Sequence, residues 1–111
     1  MSVVTATKFA QAAMTASPTT ATLYTVPTGR KALLKTIDIC NTTASIKSAT
    51  VYLVASGGSA SASNMLVPNV NIPANGMLQW HGEQVLDVGD FIVSMGSAAG
   101  LTINISGAEI V

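Results

Sequence analysis

Residues 23–41 read LYTVPTGRKALLKTIDICN: a short strand, a Pro27-Thr28-Gly29 turn, and then the longest strand-like run in the chain. Pro27 has no N–H to donate to a central ladder, and Gly29 is free to take positive φ, so the chain reverses here. From Arg30 to Asn41, Leu33, Ile37 and Ile39 share one parity while Ala32, Leu34 and Cys40 share the other. Neither face is cleanly polar, which is the pattern of a strand covered on both sides.

Working outward, Lys47 to Ala55 repeats the pattern, with Val51 and Leu53 alternating against Tyr52 and Val54. The following SGGSASASN, residues 56–64, has the composition of a flexible loop. Short strand-like pieces then succeed one another: 65–72, 77–80, 83–86, 91–95 and 101–106, with turns at Pro73-Ala74-Asn75-Gly76 and Asp87-Val88-Gly89-Asp90. Leu101, Ile103 and Ile105 alternate with Thr102, Asn104 and Ser106, the signature of a half-buried strand with one wet face. Turns spaced in this way predict an all-β chain of about eight antiparallel strands in a two-sheet β-sandwich, jelly-roll-like in preference to immunoglobulin-like. Residues 21–111 form that single domain. Residues 1–20 are either a weak first strand near 6–14 or an extended arm that packs on a neighbour.

Composition excludes several function classes. Five Lys and Arg balance five Asp and Glu, so there is no electrostatic footprint for nucleic acid or anionic lipid. Charged residues make up 9% of the chain against the usual ~25%, which leaves a surface that does not repel copies of itself. The charges are unevenly placed: residues 1–55 carry five bases and one acid, and residues 56–111 carry four acids and no base. Antiparallel pairing within one subunit accounts for this, as does a basic edge meeting an acidic edge on a neighbour in a ring. Cys40 is the only cysteine, so no intrachain disulfide forms. The N-terminus lacks the basic and Leu-rich regions of a signal peptide. The uncharged stretch Ser48–Gly82 is too often broken by Gly, Pro, Asn and Ser to span a membrane.

No motif assembles chemistry. His81 is the only histidine, too few for a metal site of converging imidazoles. Asp87 and Asp90 sit in LDVGD, a frame that suits turn bonding better than Ca²⁺ or acid–base work. Cys40 reads as a buried small hydrophobe. Gly57-Gly58 lacks the lysine and helix of a phosphate cradle. Trp80-His81 with Tyr24 or Tyr52 is the one arrangement with a physical basis for sugar stacking, against core or subunit packing. Asn41-Thr42-Thr43 and Asn104-Ile105-Ser106 match the glycosylation triplet without a secretory context. No catalytic, metal or cofactor residue is expected.

Taken together, LYTVPTGRKALLKTIDICNTT, TVYLVASGG, NIPANGMLQWHGEQVLDVGDFIVSMGS and a closing SGAEIV resemble small virion proteins of tailed bacteriophages. The features that carry the resemblance are Tyr24, Pro27 and Gly29, Asn41, the Leu86–Asp90 turn, and Gly107 with Glu109. It spans residues 22–111. The resemblance implies a structural β-sandwich protein, often trimeric: a head decoration or cement protein bound to the phage major capsid protein, or a tail or neck component forming a ring or tube. A glycan-binding host-attachment module is the alternative from another class. The expected contact residues are Val3, Val4 and Phe9 on the arm, Tyr52 and Val54 on the two-sided strand, and Trp80. The expected location is the virion surface, after synthesis in the host cytoplasm.

Overall fold

Turn chemistry partitions the chain. Gly29, Gly89 and Gly100 adopt φ of 80°, 85° and 106°, and Asn75 adopts 57°, each releasing one strand and starting the next. The computed structural model describes residues 3–111. Its strands are β1 (Val4–Ala13), β2 (Ala21–Thr25), β3 (Lys31–Asn41), β4 (Lys47–Val54), β5 (Met65–Ile72), β6 (Met77–Leu86), β7 (Phe91–Gly96) and β8 (Leu101–Ile110). A single 3-10 turn, Ala62–Asn64, lies inside the 55–64 loop.

Two four-stranded antiparallel sheets result, sheet A in the order β1-β8-β3-β6 and sheet B in the order β2-β7-β4-β5. Every connection crosses between the sheets except β4 to β5, and this order is that of a jelly roll. β1 lies along β8 within the same chain, and Phe9 and Met14 are buried in the core. The segment expected as an arm or weak first strand thus contributes a full edge strand, and its residues 1 and 2 lie outside the described residues. The expected pieces 77–80 and 83–86 are one strand, β6.

Between the sheets, Leu34, Ile37 and Ile39 from β3 meet Leu101, Ile103 and Ile105 from β8, with Val51, Ile72 and Ile92 from sheet B, all at 0–1% exposure. Burial on this scale contributes about 1.5–3 kcal/mol for each such side chain.

The parity expected for β3 is corrected by a bulge. Leu34 and Thr36 pair with the adjacent β8 residues Gly107 and Ser106, so Lys35 is an extra residue. One extra residue reverses the alternation. Ala32 and Leu34 before it, and Ile37 and Ile39 after it, therefore all point inward. β3 is covered on one side only. On β6 the same place opposes Gln84–His81 to Leu34–Thr36, three steps against two, and this break had hidden the continuity of the strand.

β4 is the strand covered on both sides. Its outer face carries Tyr52 and Val54, which pack with Val93 and Phe91 of β7 and are covered by Ala60 of the 55–64 loop. The chain folds its own loop over sheet B.

Asn41 shows how the strand ends are tied. At 2% exposure its Nδ2 donates to the carbonyls of Ser45, Ile72 and Pro73 at 2.8–3.1 Å, and its Oδ1 accepts from Thr43 N and Oγ1. It is a fully used buried amide rather than a glycan acceptor.

Candidate functional site

The charge asymmetry resolves inside the subunit. Arg30 pairs with Glu109 at 2.8 Å, Lys31 with Asp87 at 3.5 Å, and Lys35 with Glu83, each a base of the first half with an acid of the second. The hydrogen bond from Lys35 holds the Glu83 carboxyl below its ordinary range.

Glu109 faces inward at one end of the sandwich, on the parity of Leu101, Ile103 and Ile105. Its Oε2 accepts from the Tyr24 hydroxyl at 2.5 Å and its Oε1 from Arg30, which ties β8 of sheet A to β2 of sheet B. Burial, and then the bond to Glu109, push the Tyr24 hydroxyl well above the usual phenol range. Phe9 stacks on Tyr24 with ring centroids 4.2 Å apart. Tyr24 and Arg30 each donate to a different oxygen of Glu109. They form an interior lock between the sheets.

The expected sugar platform is not assembled. Trp80 pairs with Ile37 and turns inward against the core, while its neighbour His81 pairs with Thr36 and turns outward. Tyr24 is inside, and Tyr52 is on the outer face of sheet B. Asp90 accepts from Ser56 N at 3.0 Å and Asp87 N at 2.9 Å, a turn role. Among the described residues no three of His, Cys, Asp and Glu come together as metal ligands. Cys40 is half-buried on the outer face of sheet A, not in the core.

Of the expected contact residues, Val3 and Val4 are exposed at 54% and 64%. Phe9, Tyr52 and Val54 are at 6%, 8% and 1%, so their apolar area is used within this chain and offers little to a neighbour. Trp80 is half-buried for the same reason.

What remains uncovered is the outer face of sheet A. Backbone register places Ala6 opposite Ala108, Ala108 opposite Leu33, and Leu33 opposite Val85, an unbroken apolar row across all four strands. Val4 and Ile110 extend it along β1 and β8; Val85 at the edge is 62% exposed, Leu33 is half-buried and Ala108 is 9% exposed. At that end of the sandwich Lys31, Asp87, Val88, Ile110 and Val111 line a concavity of about 570 Å³. Toward the other end the face turns polar, with a row of Gln11, Asn104, Asp38 and Gln79. Straight alternation missed the apolar row because Lys35 reverses the parity that sorts Leu33 from Ile37.

Fold and surface together define a jelly-roll domain with one bare sheet face and no assembled chemical site among the described residues. No family model and no curated protein matches the chain. Among solved structures it is similar to a chain of the infectious bursal disease virus Gx strain, with 13% identity over 99% of this chain and 32% of that chain, and a TM-score of 0.52. It is likewise similar to a chain of the T13 infectious bursal disease viral particle, with 11% identity over 98% of this chain and 30% of that one, and a TM-score of 0.52. At such identity the likeness establishes the fold. This chain spans about a third of the length of those chains.

Proposed function

We propose that this chain is a structural protein of a virus particle. In its finer form it is a head decoration protein of a tailed bacteriophage, binding the major capsid protein on the shell exterior as an oligomer, with the trimer that the resemblance implies. The observation that carries this is a sandwich face four strands wide that no other segment among the described residues crosses, whereas the 55–64 loop covers part of the opposite face. The fold shared over nearly the whole chain with particle proteins of infectious bursal disease virus supports the coarser statement. An enzymatic role finds no support in the polar groups, because Tyr24, Arg30 and Glu109 satisfy one another.

A decoration protein acts by binding the assembled shell and not its separated subunits, so it stabilises the shell by mass action summed over many copies. The test is cosedimentation of the purified chain with expanded and unexpanded shells of the phage that encodes it. Saturable binding to expanded shells, with increased resistance to heat disruption, is the expected result. A chain indifferent to both shell forms would sink the proposal.

A further inference from the structure

At two levels the outer face of sheet A carries small residues toward β1 and larger ones toward β6. At one, Ala6 and Ala108 lie level with Leu33 and Val85; at the other, Ala13 and Thr102 lie level with Cys40 and Met77. Charge divides the same way at the edges. β1 carries Lys8 and no acid, while β6 and its following turn carry Glu83 and Asp87, which Lys35 and Lys31 of the same chain already pair.

We propose that this face packs against the same face of a second copy, about a twofold axis lying in the interface, along the strands and midway between β8 and β3. Such a rotation keeps every residue at its own level and exchanges left for right. β1 then lies over β6 of the partner subunit and β8 lies over β3. Ala6 comes over Val85 of the partner subunit, Ala108 over Leu33 of the partner subunit, and Ala13 over Met77 of the partner subunit. Small sits over large in each case, and the match is made twice by symmetry. Lys8 comes over His81 of the partner subunit, at the level of Ser106 and Thr36. Asn104 comes over Asp38 of the partner subunit; within one chain the Oδ1 of Asp38 is shielded from water and has no hydrogen-bond partner.

The dimensions suit the contact. Four strands about 4.8 Å apart and ten residues rising about 3.3 Å each make a face of about 600 Å² in projection. Side-chain relief brings this near the ~800 Å² of accessible surface that each partner of a specific complex buries. Sheets packed in this aligned way sit about 10 Å apart with strands within about 30°. On the other outer face, Ala60 of the 55–64 loop covers the part over Tyr52, Val54 and Val93. The pairing concerns the isolated chain and takes up the face that the virion reading leaves free, so it replaces the trimer with a twofold pair and is tested separately from shell binding.

Sedimentation velocity on the full chain tests it through charge placement. Ala6 and Val85 lie at opposite edges of one sheet, about 14 Å apart by three strand spacings, so charges introduced there do not pair within a subunit. Across the proposed axis they face each other. The wild type is expected at twice the 11.3 kDa chain mass, dissociating on dilution. Ala6→Lys and Val85→Glu, both at exposed positions, each weaken the dimer by roughly tenfold or more, as an unpaired charge in a contact does. The double variant restores it. Circular dichroism unchanged from wild type shows that each variant is folded. A wild-type monomer at every concentration, a trimer without even-numbered species, single variants that leave the dimer intact, or a double variant weaker than either single would each overturn the pairing. A trimer that binds shells would do so while leaving the virion reading standing.

Discussion

Gly107→Ala is expected to be the most damaging one-methyl change in the chain. A Cβ at residue 107 would lie 1.9 Å from the backbone carbonyl oxygen of Leu33 and 2.7 Å from Cε2 of Phe9. A normal contact requires about 1 Å of separation between β8 and β3, the two central strands of sheet A, at the level where the Lys35 bulge already interrupts their register. Phe9 cannot yield instead, because it is stacked on Tyr24, whose hydroxyl is held by Glu109. Overpacking by one methylene costs about 1–3 kcal/mol where side chains can adjust. Here the obstacle is backbone, so the upper end, about 3 kcal/mol, is expected. Against a total of roughly 5–15 kcal/mol for a domain of this size, that is a large fraction. With a urea m-value of about 1.5 kcal/mol/M, the midpoint falls by about 2 M. Gly82→Ala is the control, since its Cβ meets only the ring edge of Trp80, at 3.0 and 3.1 Å, on an edge strand. Its cost is expected to stay below about 1 kcal/mol. A Gly107→Ala midpoint equal to wild type, or a smaller loss than Gly82→Ala, would refute the close approach of β3 and β8.

Tyr24→Phe leaves Glu109 Oε2 without a donor in a site that is 8% exposed, and is expected to cost about 1–2 kcal/mol in urea unfolding. The fold raises the Tyr24 hydroxyl, so this contribution is complete below the ordinary phenol value of about 10 and is lost as pH rises beyond it; Tyr24→Phe is expected to flatten that alkaline decline, and an unchanged slope would count against the buried bond. Ala60→Asp places a charge on the apolar cluster of Tyr52, Val54 and Val93, and is expected to speed proteolytic nicking within residues 55–64 several-fold with little change in global unfolding.

Much of the sandwich was legible because turns and alternation are local. Asn75, Gly29 and Gly89 are where positive φ is needed, and the strand of Leu101, Ile103 and Ile105 shows its two faces directly. What was not legible turns on bulges, which depend on the partner strand. Taken as straight, β3 seemed apolar on both faces; with Lys35 counted as an extra residue, its four largest inward groups fall on one side. The cover on β4 was hidden for a different reason. A Ser-rich loop gives no sign in composition that Ala60 will sit on Tyr52 and Val54. Trp80, the residue most readily assigned to a contact, is inward because Ile37, its neighbour on β3, is inward. The bare row of Ala6, Ala108, Leu33 and Val85 joins four distant segments and exists only once register is known.

The bulges also explain why the bare face and the interior lock occur at the same end. In β1 the register shifts between Lys8 and Ala10, leaving Phe9 as the extra residue, and in β3 it shifts at Lys35. Bulges increase local twist and re-aim the side chains beyond them. Phe9 is sent inward above Gly107, where no Cβ competes with its ring, and from there it stacks on Tyr24. Beyond the same line Glu109 points in and its neighbours Ala108 and Ile110 point out, toward Leu33, Ala6 and Val4. Filling the end of the sandwich with Phe9, Tyr24 and Glu109 therefore requires, by strict alternation, that the intervening positions reach the surface. On this strand those positions are the apolar Ala108 and Ile110, with Ala108 already 9% exposed among its neighbours, and this is the row on which the proposed contact rests.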